Sequence, residues 1–489
     1  MSALAGAIRK LNLGLYALAG VAVGLAAMHP HWVPYIVALI ILAIATLSKH
    51  PLALILGGGL GTFLLLDVAL DRQFSQIVIL RPPFFVTEVS MALLVAVLAL
   101  TSNLRLPEGT KVAFFAVVIV CVLGVMFNGP KFGWLPTLRD SAELYYIAFV
   151  PITYSVLLVC DRYISARWLQ PLLSIGSVFL PIFYLLSYAH VIPGPGRIPE
   201  MSESVSGMLL IGQLIWGNTG RLGWLRFLGI PLSILSLIEP GLRGPLFGTL
   251  AALGLTYWMS YAAGNRPVQR RLGKSLLVMG VGAISVLVLD PAAMVHVAKN
   301  FDSAFILSGT GSQIANNHWR LLIWKEAIQQ FLSNPLAIRV GQPWTPVVLL
   351  NLGYGGVSNV NSAGGYGLNT TTLSNSYLQM VQWYGVWALG WVLLIGFRAV
   401  KPLVRLRALS PTAIVLTAWC VLWAVVTGVE VVLEGPYMSA LIWSLIGACY
   451  YWAGHRAARR MPLSGLDTDV RATTPVAGPG GGGGGHRSW

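Results

Sequence analysis

The hydrophobic positions of this chain come in unbroken runs separated by brief polar turns. A run of about 18–20 apolar residues, rising 1.5 Å per residue as a helix, crosses a hydrocarbon core about 30 Å thick. Fourteen such runs can be drawn: 11–28, 34–48, 51–69, 84–101, 111–127, 143–160, 170–190, 204–219, 223–238, 244–263, 275–290, 376–397, 411–429 and 437–454. The pairs 34–69 and 204–238 are the weakest, so twelve spans also fit. The tightest turn is Ser48-Lys49-His50-Pro51, where proline opens the next helix. The pattern predicts an all-α polytopic membrane protein. Eleven spans occupy 1–290, a large outer loop 291–375, three more spans 376–454, and a polar tail 455–489.

Composition narrows the class further. Of 489 residues, 56% are hydrophobic and 10% charged, whereas a soluble domain carries about 25% charged residues. Mean hydropathy is +0.72. A cytosolic enzyme, a nucleic-acid-binding module and a disordered chain are excluded. The net charge of +15 invites an anionic partner, but topology accounts for it. With the N-terminus inside, 22 of the 32 Lys and Arg and four of the 17 acids fall on the inner side, giving +18 inside and −3 outside. This is the positive-inside pattern, and it needs no nucleic acid. Both termini are then cytoplasmic. The stretch after Arg9-Lys10 runs into a second span and reads as an anchor. Cys121, Cys160, Cys420 and Cys449 lie in spans or at their inner ends, so no disulfide framework is expected.

The chemistry is expected outside, because loops carry function. Within 291–375, Leu321, Trp324, Ile328 and Phe331 recur at helical steps, with Lys325, Glu326, Gln329 and Gln330 on the wet face and Asn334-Pro335 as the stop. A helix over Trp319 to Ser333, lying on the membrane surface, is predicted. Arg320 falls on its apolar stripe, four, seven and eleven residues before Trp324, Ala327 and Phe331. A guanidinium there either snorkels to the interface or meets a partner in a wet cavity. Asn351 to Asn375, rich in Gly, Asn, Ser and Thr, reads as a mobile lid, a sugar-facing surface or a plain flexible loop. The next span opens on Ser374-Asn375-Ser376, a capping sequence, and places Asn375, Gln379 and Gln382 on one face. Such amides line a polar cavity or hold helices together. Two further charged features lie at outer span ends: Glu239-Pro240-Gly241-Leu242-Arg243-Gly244, and Glu430 with Glu434 one turn apart. Burying them costs several kcal/mol unless they are paired or wet. The tail, Gly-rich from Gly478 to Gly485, reads as disordered and cytoplasmic.

Taken together, Arg320-x-x-x-Trp324-x-x-Ala327-x-x-x-Phe331-x-x-Asn334-Pro335-Leu336, followed by Gly341, resembles the loop signature of bacterial O-antigen ligases and O-antigen polymerases. Asn375-Ser376-Tyr377-Leu378, with Gly385 and Gly390, resembles the helix that follows in that family, and Leu242-Arg243-Gly244 its earlier Ser-Arg-Gly turn. The motifs cover roughly 239–395; the first half matches in hydropathy alone. Ligases of the family carry His where this chain has Ser374, and a serine cannot replace imidazole as a base. The departure favours the polymerase branch.

The resemblance implies a membrane-embedded glycosyltransferase of GT-C-like fold in the bacterial inner membrane. Its donor would be an undecaprenyl-diphosphate-linked oligosaccharide, and a chain-length regulator and a flippase would be its neighbours. A leaving diphosphate calls for fixed cations, and guanidinium forks match phosphate oxygens. Arg320 and Arg243 take that role by motif, with Arg339 and Arg197 as weaker candidates. Glu430 and Glu434, then His318, are candidate bases for the acceptor hydroxyl. Asn375, Tyr377, Gln379, Gln382 and Trp324 are expected to bind substrate. No cluster with metal-ligand spacing is read, so a metal-independent, cofactor-free mechanism is expected. The rival readings are an O-antigen ligase acting on lipid A core and a flippase or exporter of the same lipid-linked glycan.

Overall fold

The computed structural model describes residues 41, 45, 48, 50–70, 72–75, 77–79, 84–134, 137–138, 141–161, 166–189, 191, 199–216, 223–238, 243–274, 277, 324–325, 327–329, 331–333, 347–348, 369–370, 375–406, 410–429, 432–433 and 436–459. It divides into Met1–Ala453 and Gly454–Trp489; of the latter, 454–459 are helical. The expected disordered tail beyond Arg459 lies outside the described residues, as do the spans expected before residue 41 and at 278–290.

Among the described residues the main helices are α1 (Pro51–Leu70), α2 (Val86–Leu100), α3 (Lys111–Phe132) and α4 (Phe149–Cys160). They continue with α5 (Ala166–Tyr188), α6 (Pro199–Trp216), α7 (Arg226–Ile238) and α8 (Arg243–Ala262). A further helix, α9, covers 266–274. The last three are α10 (Ser376–Leu406), α11 (Pro411–Val429) and α12 (Pro436–Arg459). A helical lead-in over Ala142–Tyr145 and a tighter turn over Tyr146–Ala148 run into α4. Among the described residues, five helices are long and apolar enough to cross a membrane: Pro51–Leu70, Lys111–Pro130, Ala142–Cys160, Ser376–Leu406 and Pro411–Val429. The protein is thus helical and membrane-embedded. Val112, Phe115, Ile119, Val122 and Met126 of α3 stand exposed at helical spacing, a face that water would not tolerate and lipid does. The one strand pairing described is β1 (Val347–Val348) against antiparallel β2 (Asn369–Thr370), inside the long segment between α9 and α10.

The core is built around α6. Residues 201–215 are all buried, although they include Ser202, Glu203, Ser204, Ser206 and Gln213. A helix buried on every side packs against neighbours all round, and α5, α7, α8 and α11 surround this one. Small residues bring these helices close. A Cβ on Gly248 of α8 would stand 2.9 Å from the Leu422 carbonyl oxygen of α11, and one on Gly207 of α6 would collide with Thr249. Side chains then tie the helices together. Trp419 Nε1 donates to the Met208 carbonyl at 2.8 Å, and Ser206 and Ser236 hydroxyls meet at 2.9 Å.

These bonds sort the helix ends into two sets. At one end Tyr184 donates to the Val68 carbonyl at 2.6 Å, Tyr188 bonds Ser202, and Asn375 donates to the Gly428 carbonyl. At the other, Cys160 Sγ reaches the Ala53 carbonyl, Trp216 Nε1 donates to Thr412 Oγ1, and Tyr451 donates to Asp161. Arg105, Lys111, Lys401 and Arg405 lie at the second end, together with Glu108 and Asp161; Asp67, Glu88, Glu143 and Glu203 lie at the first.

α10 is expected to be one continuous span, and it is not. Gly385 adopts φ 80° and ψ 169° inside it, which breaks the helix after nine residues. An L side chain at that φ is strained by about 1–3 kcal/mol. Gly390, with helical backbone and open space at its Cβ position, is the matched control. Gly385→Ala is expected to lower the thermal unfolding midpoint of the detergent-purified protein, whereas Gly390→Ala leaves it unchanged or slightly raised. Equal midpoints for both would contradict the break.

Candidate functional site

The sequence-predicted amides converge where α10 begins. Asn375 caps the helix: its Oδ1 accepts from the Leu378 N–H at 3.0 Å, while its Nδ2 donates to the Gly428 carbonyl at 2.6 Å. The cap is Asn375; Ser374 lies outside the described residues. The reason is geometric: the side-chain oxygen three residues before a free helical N–H reaches it, and Leu378 N is the one satisfied. Ser376 Oγ accepts from Val432 N at 3.0 Å and Leu433 N at 3.2 Å, and Tyr377 donates to the Ala424 carbonyl at 3.0 Å. Ser439 of α12 donates to the Val432 carbonyl at 3.2 Å and closes the corner. Gln379 and Gln382 follow, both buried, between the cap and the Gly385 break. Removing the double bond of Asn375 leaves the Gly428 carbonyl and the Leu378 N–H without it. Asn375→Ala should cost about 2 kcal/mol. Asn375→Asp keeps the cap and loses only the donor to Gly428, so it should fall midway in thermal unfolding. An Ala variant as stable as the parent would remove Asn375 from this role.

A second motif reaches the same place. Arg243-Gly244 opens α8. Gly248 packs on Leu422 and Val426 of α11, and Tyr377 of α10 packs on Gly428. The second turn of α8 and the first turn of α10 therefore both pack on the last two turns of α11. The Arg243 side chain is outside the described residues, but its position starts a helix whose N–H groups and dipole favour an anion.

The loop helix is present in part. Residues 324–325, 327–329 and 331–333 are helical. Ala327 is buried and Trp324 and Phe331 are half-buried, while Lys325, Ile328, Gln329, Leu332 and Ser333 are exposed. Ile328, expected on the apolar stripe, is exposed, and Ala327 is buried in its stead. Arg320, Arg339, Arg197, Glu430, Glu434 and His318 lie outside the described residues.

Four carboxylates at this end of the bundle escaped sequence reading. Asp67, Glu143 and Glu203 are fully buried. Glu88, near the start of α2, accepts from Tyr145 at 3.0 Å, from Tyr146, and through its second oxygen from Phe85 N at 3.1 Å. Tyr146 leads through Phe149 and its stacked partner Phe63, 5.7 Å away, to Asp67 one turn on. Tyr184 and Tyr188 link the neighbourhoods of Asp67 and Glu203 through Val68 and Ser202. The missed signal was each acid's place within an apolar run. Glu203 was put in water by a span drawn from residue 204, whereas α6 starts at Pro199. Ionisable groups held at membrane depth are costly and mark functional sites.

Compared with known proteins, the chain matches no family model and no curated protein. The resemblance to O-antigen polymerases and ligases stands on the motif residues alone.

Proposed function

We propose that this chain polymerises undecaprenyl-diphosphate-linked oligosaccharide repeats at the outer face of a bacterial cytoplasmic membrane. The observation that carries the reading is that α8, which opens on Arg243-Gly244, and the Asn375-Ser376-Tyr377-Leu378 segment of α10 both pack on the last two turns of α11. The positive-inside balance of the sequence supports the orientation, with the end that buries Asp67, Glu143 and Glu203 outside and both termini in the cytoplasm. Twelve to fourteen spans and the outer loop 291–375 belong to the same proposal.

In this reading the acceptor hydroxyl oxygen attacks the anomeric carbon of the donor. The bond to the diphosphate breaks, the diphosphate leaves with the electron pair, and the anomeric centre inverts. Arg320 and Arg243 oppose the charge that develops on the leaving group, aided by Arg339 and Arg197. Glu430 or Glu434 takes the hydroxyl proton. Asn375 fixes the cap that orients Gln379 and Gln382, and Tyr377 holds α10 against α11. No metal is required, and a chain-length regulator and a flippase act on the same glycan.

One observation favours a second reading, a transporter of the lipid-linked glycan. The Gly385 break makes α10 discontinuous, as in helices that line transport sites. A deletion strain separates the two. Loss of a polymerase leaves single repeats on the outer face; loss of a transporter traps them inside. Single repeats retained only inside would overturn the polymerase.

A further inference from the structure

Helix α8 presents one exposed stripe along its length. Phe247, Leu250, Tyr257, Trp258 and Tyr261 recur at helical spacing on it. The stripe is aliphatic and Phe-bearing toward the start of α8. Its last turns are amphipathic aromatics, with Tyr257 41%, Trp258 59% and Tyr261 68% exposed. Indole and phenol rings at one end of a lipid-facing helix mark the headgroup level of a bilayer. The chain turns there. Asn265 N bonds the Ser260 carbonyl at 2.9 Å, Gly264 N bonds the Tyr261 carbonyl at 3.0 Å, and Gly264 takes φ +64°. Asn265 Oδ1 then accepts from Val268 N and starts α9.

α9 is two-faced. Val268 and Leu272, four residues apart, are buried. Arg266, Arg270 and Lys274, also at steps of four, are exposed. At 100° per residue the two rows lie on opposite sides of the helix. Arg271 donates through Nη1 to the Trp216 carbonyl at 3.3 Å and fastens α9 to the end of α6. The cation row therefore points away from the body. The sequence has no Asp or Glu from Arg243 to Leu289. Among the described residues, Arg266, Arg270 and Lys274 have no ion pair. Three cations in a row next to an interfacial Trp–Tyr cluster, with no ion pair among the described residues, match a phosphate head above acyl chains.

We propose that the α9 row and the Tyr257–Trp258–Tyr261 patch form a binding site for an anionic phospholipid. The phosphate sits on Arg266, Arg270 and Lys274, and the acyl chains lie along the exposed stripe of α8. The proposed orientation only names the leaflet, which is the cytoplasmic one; the site does not depend on the polymerase reading. Anionic lipid here would hold the α8–α9 corner at the membrane surface.

The test is titration of the full-length, detergent-purified protein with phosphatidylglycerol and, separately, phosphatidylcholine, with bound lipid counted by native mass spectrometry. Each Lys or Arg at an anionic headgroup surface contributes about fivefold in affinity, so Arg266→Gln, Arg270→Gln and Lys274→Gln together should weaken phosphatidylglycerol binding about a hundredfold. Phosphatidylcholine binding should not change, and raising the salt should weaken the parent's binding of phosphatidylglycerol. The charge-matched control Lys111→Gln, Lys401→Gln and Arg405→Gln should bind like the parent. The proposal is overturned if the triple variant binds phosphatidylglycerol as the parent does, or if the control loses as much. Should the triple variant fail to fold, Arg270→Gln alone is expected to lose about fivefold, and no loss would equally overturn it.

Discussion

Arg320→Lys is expected to fail almost as badly as Arg320→Ala in making polymer. Both should slow repeat addition by about 10²–10³-fold, the usual cost of removing one charge-stabilising donor from a transition state. Lys retains the charge but loses the planar fork that grips two phosphate oxygens at once. The ground for the prediction is positional. Arg320 is four, seven and eleven residues before Trp324, Ala327 and Phe331, which are the less exposed of the described residues in 324–333. A surface-snorkelling arginine would tolerate lysine, because both reach the interface on long apolar stems. Full-length polymer from the Lys variant, at the rate of the parent, would make Arg320 an anchor.

Glu88→Ala is expected to be the most destabilising single change at the end that buries Asp67, Glu143 and Glu203. The carboxylate takes hydrogen bonds from the Tyr145 and Tyr146 hydroxyls and from Phe85 N. Tyr146 is fully buried, so its hydroxyl loses its partner where water does not replace it. Bonds to a charged acceptor contribute about 1.5–3 kcal/mol each, so the loss should reach about 3–5 kcal/mol. Glu88→Gln keeps one acceptor oxygen and should cost about half as much. Thermal unfolding in detergent should rank the parent above Gln and Gln above Ala. An Ala variant with the parent's midpoint would mean that the tyrosine pair does not hold the α2–α4 corner.

The helical, membrane-embedded character was legible because apolar runs are long and self-evident. Span ends were less so. The start of α6 was placed five residues late, because Ser202, Glu203 and Ser204 look like a wet edge. In the fold they are enclosed by surrounding helices, which no one-dimensional pattern reveals. In the sequence the Gly385 break is only a glycine, indistinguishable from Gly390; backbone φ separates them. Asn375, Gln379 and Gln382 were legible as a group because they fall at helical spacing beside a capping sequence, and Tyr377 by the motif it shares with Asn375. Their partners at Ala424, Gly428 and, for the neighbouring Ser376, Val432 were not, since those contacts join segments about fifty residues apart. α9 was hidden by its charge. Arg266, Arg270, Arg271 and Lys274 read as a basic turn, while Val268 and Leu272, only two apolar positions, carry the helix.

The central claim is polymerisation of a lipid-linked glycan. Purified protein in vesicles should be given undecaprenyl-diphosphate-linked repeats alone, with no lipid A core present, and the products sized. Chains longer than one repeat, with undecaprenyl diphosphate released, are the predicted result. No product until a lipid A core acceptor is added, followed by transfer of glycan to it, would contradict the polymerase and make the protein a ligase.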